Sequence, residues 1–262
     1  MALAHLNFVS EVLGMTTSMY VILPQHDNER SQRPKTDRFP VLYFLHGLGG
    51  DQTYNLRFTP IHRIVASTDL AVVIPTVNRG CYVDMQAGEQ YWSFISEELP
   101  SIARKFFPLS DQREKNFAAG ISMGGYGAMK LALTFPERFA SAASIMGSLD
   151  MVNFSPEHDE IAKVVFHPGE FHNIFGDDDK ITGGKNDLFH MATQLVDSGK
   201  QKPKLFQCCG TEDITHAYNL RFRDHLRKLN YDLIYEEEAG QHNLEYVDLK
   251  LARIIQWFAL QI

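Results

Sequence analysis

A chain of 262 residues with 25 Lys and Arg against 32 Asp and Glu carries a formal charge of −7, with 44% of it hydrophobic and 22% charged. That balance suits a water-soluble globule of one large domain or two small ones, and it speaks against nucleic acid as the main partner. No stretch is long and apolar enough to span a bilayer, so no membrane partner is expected.

Met1 to Pro24 holds two expected strands. The clearer is Thr16 to Leu23, where Met19, Val21 and Leu23 alternate with their neighbours and Pro24 closes the run. The opening residues lack the basic and then apolar regions of a secretory signal, which makes a cytoplasmic protein the expectation. Gln25 to Arg38 is polar and aperiodic, an expected surface loop. Val41 to Leu45 is a continuous apolar run, as for a strand buried on both faces of a parallel sheet. It leads into His46-Gly47-Leu48-Gly49-Gly50. Glycines at the carboxyl end of a buried strand let backbone N–H groups face a cleft, where they can hold an oxyanion; an ordinary strand-to-helix turn is the alternative.

Ile61 to Ala66 reads as a helix with Pro60 near its first turn, and Leu70 to Pro75 as another buried strand. Asn78 to Gly88 is an irregular loop expected to border the same cleft. Gln90 to Phe107 reads as a long helix, bent or interrupted at Pro100. Asp111 to Lys115 is a polar turn, and Asn116 to Ala119 a short buried strand.

Next comes Gly120-Ile121-Ser122-Met123-Gly124. The GxSxG spacing is that of a strand turning sharply into a helix while lifting a serine hydroxyl clear of the backbone. A side chain two positions to either side of the serine would clash with the neighbouring strand or helix. Tyr126 to Thr134 reads as the helix that follows, stopped near Pro136, and Ser141 to Met146 as a small-residue strand. The alternation of strands and helices from Phe39 onward predicts an α/β fold, with a mostly parallel, doubly wound sheet and helices on both faces.

Residues 150–202 break that rhythm and read as a cap-like insertion over the cleft, within a single domain spanning 1–262. Asn186 or Asp187 can cap a helix with Leu188, Met191, Ala192 and Leu195 on one face and Gly199 at its end. His167, Glu170 and His172 lack HExxH spacing, and Asp177 to Asp179 lacks the alternating ligands of an EF-hand. No GxxxxGK[ST] loop is present. Neither metal nor cofactor is expected.

Lys204 to Cys209 is a strand, followed by Gly210-Thr211-Glu212-Asp213. Cys81, Cys208 and Cys209 make no disulfide framework; the adjacent pair alternates across its strand as small buried hydrophobes. Asn219 to Leu229 reads as a helix, Tyr231 to Tyr235 as a strand, and Ala239-Gly240-Gln241-His242 leads into a last helix with Val247, Leu251, Ile254, Ile255 and Phe258 inward.

A serine hydroxyl needs a base to take its proton, and that base needs an acid to orient it. Ser122, Asp213 and His242 each follow a candidate strand, in the chain order Ser, Asp, His of the α/β-hydrolase fold. Glu212 competes for the acid role; the shorter Asp213, farther round the turn, is preferred. His216 and His225 compete as base, but His225 lies mid-helix and solvated, His216 sits beside the acid loop, and only His242 follows a strand after the acid. The oxyanion donors are then the N–H groups of Met123 and of Leu48 or Gly47.

With these pieces placed, the chain resembles the bacterial tributyrin-esterase-type carboxylesterases, in the esterase D and S-formylglutathione hydrolase group of α/β hydrolases. The likeness runs through Phe39 to Gly50, Glu97 to Pro100, Gly120 to Gly127, Cys209 to Asp213 and Gly240 to His242. It implies cofactor-free hydrolysis of short-chain acyl esters by Ser122, Asp213 and His242, on a small-molecule ester substrate, in a cytoplasmic homo-oligomer, a dimer or tetramer. The same triad also suits an S-formylglutathione hydrolase, an acetyl- or feruloyl-sugar esterase, or an acyltransferase. A hydrolase fold that only binds a ligand is the reading from a different class.

Overall fold

The apolar runs lie at the centre of one sheet in the computed structural model, which describes residues 1–25, 38–177 and 180–262. The expected loop from Gln25 to Arg38, apart from its two end residues, lies outside them, as do Asp178 and Asp179. Among the described residues the strands run in the order β1 (Ala2–Ser10), β2 (Met15–Leu23), β4 (Ala71–Ile74), β3 (Val41–Leu45), β5 (Asn116–Ile121), β6 (Ser141–Ile145), β7 (Lys204–Gly210) and β8 (Leu233–Glu238). β1 and β2 form an antiparallel hairpin, β2 pairs antiparallel with β4, and every pairing from β4 to β8 is parallel. This is the α/β-hydrolase architecture.

Residues alternate across a strand, so β3 explains its own composition. Val41, Tyr43 and Leu45 enter one core, Leu42 and Phe44 the other, and all five are buried. The first core is closed by α4 (Leu99–Phe106), α5 (Met123–Thr134), α8 (Leu188–Asp197) and α9 (His216–Lys228) through Leu99, Leu131, Leu188 and Phe222. The second is closed by α2 (Ile61–Ile64) and α10 (Leu244–Ala259). Val247, Leu251, Ile254, Ile255 and Phe258 of α10 are all buried there. Burial contributes about 1.5–3 kcal/mol for each such side chain, which holds a helix that would be marginal alone.

The chain passes from β3 to β4 on one side and returns to place β5 on the other. The connections leaving β3 and β5 therefore diverge, and a crevice opens beyond their carboxyl ends. Gly47 and Ser122 stand at that crevice.

Four elements differ from expectation. Residues 91–106 are helical throughout, as α3 (Tyr91–Ser93), a π-helical turn (Phe94–Glu98) and α4. The irregularity precedes Pro100 because proline cannot donate to the carbonyl four residues back and crowds it. The Ser96 carbonyl so released accepts a hydrogen bond from the Arg138 guanidinium. β8 lies later than Tyr231–Tyr235 because Glu236 and Glu238, beyond the expected strand, accept from the buried Lys250 Nζ at 3.0 and 2.5 Å. α9 begins at His216 instead of Asn219, directly after the Asp213 turn. A short helix, α1 (Tyr54–Phe58), was not foreseen.

Residues 150–202 hold α6 (Glu160–Val165), α7 (Glu170–Phe175) and α8, with no strand among the described residues. Asp187 caps α8, its carboxylate accepting from the N–H groups of Phe189 and His190. Asn186 takes another part, its Oδ1 accepting from the fully buried Lys130 Nζ at 2.8 Å.

Candidate active site

β5 turns into α5 through Ser122, whose φ of 54° and ψ of −117° leave the regions open to ordinary L-residues. Such a conformation costs on the order of 1–3 kcal/mol and persists where the surroundings over-determine it. Here the Ser122 N–H donates to Ile145 O at 2.9 Å, and Ser122 O accepts from Gly125 N at 2.9 Å. The flanking glycines are steric requirements. A Cβ on Gly124 would stand 2.6 Å from the carbonyl carbon of Leu45, and one on Gly120 2.8 Å from the Cα of Gly124.

The Ser122 hydroxyl lies 2.9 Å from His242 Nε2. His242 Nδ1 lies 2.9 Å from both carboxylate oxygens of Asp213. An ionised carboxylate only accepts, so Nδ1 carries the proton and donates it, leaving the Nε2 lone pair for the serine O–H. The Asp213 side chain is wholly shielded from solvent, and His242 is 24% exposed. Thr215, not anticipated from the sequence, donates to Asp213 Oδ1 from its N–H at 2.6 Å and its hydroxyl at 2.7 Å.

The loops bearing acid and base are fastened together. Thr211 N donates to Glu238 O at 2.9 Å and Glu212 N to Gly240 O at 3.0 Å. A Cβ on Gly210 would stand 3.0 Å from the Cα of Gly240. Glu212, the rival acid, is exposed and turned away from His242; its carboxylate accepts from Gly240 N at 2.5 Å, and that bond holds its pKa below the ordinary value. His216 Nε2 sits 3.0 Å from Glu237. His225 is half-buried, against the expectation of a solvated side chain, because Thr193 Oγ1 and Phe189 O approach its Nε2 at 3.1 and 3.0 Å.

Gly47, Leu48 and Met123 border a cavity of about 720 Å³ that also contains Ser122 and His242. The N–H groups of these three residues make no hydrogen bond among the described residues. The remaining wall is mostly apolar, with Tyr54, Met146 and Leu244, and with Phe154 and Val165 from residues 150–202. Among its polar members, with Ser148, Thr215, Asn243 and Glu245, is Arg79, which the sequence signalled only as part of the Asn78–Gly88 loop. Its Nε and Nη2 grip Glu170 at 2.5 and 2.7 Å, and Nη2 also donates to Val165 O at 2.9 Å. The Glu170 hydrogen bond raises the arginine's pKa, and the arginine lowers that of Glu170. The Glu170 carboxylate is thus taken by Arg79 and by the His167 backbone N–H, which donates to Oε2 at 2.8 Å, and His172 pairs with Asp177 at 3.3 Å. Among the described residues no group of three or more His, Cys, Asp or Glu side chains is placed to hold a metal ion. Nor is any helix there long and apolar enough to cross a membrane.

Comparison with known proteins agrees with this geometry. A family described as putative esterase matches residues 10–258. The chain is 26% identical to the acetyl esterase of Caldicellulosiruptor saccharolyticus, over 99% of this chain and 98% of that one. The structure of a fluorophosphonate-binding serine hydrolase of Staphylococcus aureus, solved with substrate bound, aligns with a TM-score of 0.88 at 32% identity. An S-formylglutathione hydrolase of the same organism aligns with a TM-score of 0.84, also at 32% identity. Each of these two alignments covers 98% of both chains.

Proposed function

The chain belongs to this putative-esterase family and is a carboxylic ester hydrolase of the serine type; from that premise we propose that Ser122, His242 and Asp213 perform the reaction and that short-chain acyl esters are the substrates. The observation that carries the assignment of residues is the unbroken line from Ser122 Oγ through the His242 ring to the shielded Asp213 carboxylate, 2.9 Å at each contact.

In this reading Ser122 Oγ attacks the ester carbonyl carbon as its proton passes to His242 Nε2. Asp213 stays ionised and stabilises the imidazolium. The negative oxygen of the tetrahedral adduct collects the N–H groups of Met123 and of Leu48 or Gly47, each donor worth about a hundred- to a thousandfold in rate. The adduct collapses, His242 hands its proton to the departing alcohol oxygen, and the acyl group remains on Ser122. Water then gives a proton to His242 and attacks the acyl carbon. The second adduct expels Ser122 Oγ, which recovers the proton, and the free acid leaves.

The test is Ser122→Ala assayed on p-nitrophenyl acetate and butyrate. Hydrolysis near background is expected, and hydrolysis at the wild-type level overturns the assignment. Across p-nitrophenyl esters from acetate to octanoate, kcat/KM is expected to peak at the short end; an optimum at octanoate removes the chain-length reading. Similarity to the staphylococcal S-formylglutathione hydrolase favours a second reading, a thioester substrate, and kcat/KM for S-formylglutathione against p-nitrophenyl acetate separates the two. The family resemblance also supports a cytoplasmic homodimer or homotetramer, and light scattering on the purified protein checks the assembly.

A further inference from the structure

The segment after β3 is held by side chains that the reaction as described does not use. We propose that His46 and Tyr82 are positioning residues that aim the Gly47 and Leu48 N–H groups at the substrate's acyl oxygen; the proposal rests on reading that segment as the oxyanion site.

A peptide unit is planar and trans, so its N–H points opposite to its C=O, and fixing one fixes the other. The carbonyl of His46 accepts from the Tyr82 hydroxyl at 2.8 Å, which sets the direction of the Gly47 N–H. The carbonyl of Gly47 is taken by His46 Nδ1 at 2.7 Å and by Gly50 N at 3.1 Å, which sets the direction of the Leu48 N–H. The tautomer this needs is itself imposed. Val77 N–H donates to His46 Nε2 at 3.1 Å, so Nε2 is the acceptor and Nδ1 carries the proton. Burial lowers the pKa of His46 and raises that of Tyr82, which keeps the imidazole neutral and the phenol protonated. The segment stands directly against the nucleophile, since a Cβ on Gly47 would lie 3.5 Å from Ser122 Cβ.

The way Tyr82 is delivered argues that its place matters. Cys81 and Tyr82 are consecutive non-glycine residues with φ of 50° and 56°. A chain accepts such strain only where the surroundings enforce it, and it clusters at active sites, ligand clamps and switch regions. Lys130 Nζ, buried on α5, donates to Tyr82 O at 3.1 Å and so ties the strained loop to the helix behind Ser122.

The experiment compares Tyr82→Phe, His46→Asn and His46→Leu with wild type, with Ser122→Ala beside them. The readings are kcat, KM and the inhibition constant of an aryl trifluoromethyl ketone, which captures a serine nucleophile as an oxyanion adduct. Tyr82→Phe removes one oxygen and keeps the ring. It is expected to lower kcat about ten- to a hundredfold and to weaken ketone binding in proportion, with KM changed by less than about twofold, because the donors act on the oxyanion and not on the ground state. His46→Asn keeps an N–H donor near the place of Nδ1, and is expected to retain at least about tenfold more kcat than the isosteric His46→Leu. Wild-type kcat and ketone affinity in Tyr82→Phe, a loss confined to KM, or equal losses in the Asn and Leu variants would each overturn the proposal. An inactive Ser122→Ala beside an unaffected Tyr82→Phe removes this inference alone, whereas an active Ser122→Ala removes the nucleophile assignment beneath it.

Discussion

Thr215→Val tests whether Asp213, the proposed acid, is held in place or merely present. Asp213 Oδ1 receives Thr215 N at 2.6 Å, Thr215 Oγ1 at 2.7 Å and His242 Nδ1 at 2.9 Å. Oδ2 receives His242 Nδ1 at 2.9 Å. The imidazole is equidistant from the two oxygens and so does not fix the carboxylate plane; the two Thr215 donors do. Valine deletes the hydroxyl of this buried side chain and nearly keeps its shape. The Asn219 amide, 3.2 Å from that hydroxyl, retains Gly147 O at 2.8 Å and Thr215 O at 2.9 Å. A hydrogen bond to a charged group contributes about 1.5–3 kcal/mol. Expressed in the transition state, that is about a ten- to a hundredfold loss of kcat, well short of the roughly 10⁴-fold cost of disabling the acid itself. Expressed in folding, it lowers the melting temperature by about 3–10 °C for a chain of this length. Steady-state hydrolysis of p-nitrophenyl butyrate and a thermal scan read both quantities, and Thr215→Ser, which keeps the hydroxyl, is expected to recover most of each. A Thr215→Val enzyme with wild-type kcat would refute the claim that Thr215 orients the acid.

Gly124→Ala brings a Cβ to 2.6 Å from the carbonyl carbon of Leu45, while Gly47→Ala meets nothing closer than 3.4 Å; thermal melting is expected to find the second variant folded and the first not, and equal stability would show the elbow to be looser than described. Asp213→Asn is expected to cost about 10⁴-fold in kcat, whereas Glu212→Gln, which keeps an acceptor for Gly240 N, changes it less than about threefold; the reverse order would make Glu212 the acid. Arg79 holds the Glu170 carboxyl below its ordinary 4.5, so on acidification the unfolded chain binds that proton first. The contribution is complete above about pH 4.5 and fades as pH falls through the folded value. Glu170→Gln is accordingly expected to be less stable than wild type by about 0.2–1 kcal/mol at pH 7, with melting curves that converge below pH 4.5; a gap that persists in acid would contradict the ion pair's role.

The strands and the chain order of the proposed triad could be read because they follow from local rules. β3 announces itself as doubly buried by uninterrupted apolar residues and β5 by a mostly apolar run, and Gly120 and Gly124 stand at the fixed spacing about Ser122 that the sharp turn requires, the first against the Gly124 backbone and the second against that of Leu45. Asp213 and His242 could be placed because each stands where a parallel strand ends. What escaped the sequence depends on distant partners. The π-helical turn before Pro100 is completed by Arg138, 42 residues after Ser96. β8 extends through three glutamates because Lys250, on the next helix, neutralises two of them. Tyr82 reaches His46 across 36 residues, and nothing in Asn78–Gly88 marks it beyond its place in a cleft-side loop. The helices α6 and α7 have six residues each, too short to show a periodicity.

The stapling of the acid loop to the base loop bears on how such an enzyme can diversify. Backbone hydrogen bonds and a glycine-to-glycine contact leave no room to lengthen either loop, and so insertions there are paid for in the reaction itself. The opposite wall is different. Phe154 and Val165 come from a stretch between β6 and β7 that meets the cleft loop through the Arg79–Glu170 pair and through backbone hydrogen bonds from Gln86 N to Ile174 O and from Ala87 N to Asn173 O. None of those contacts involves residues 211–213 or 239–242, so changing Phe154 or Val165 reshapes the wall without removing a bond that holds Asp213 or His242. The proposed chemistry thus rests on a rigid unit, and the wall facing it is where a different ester is expected to be accommodated.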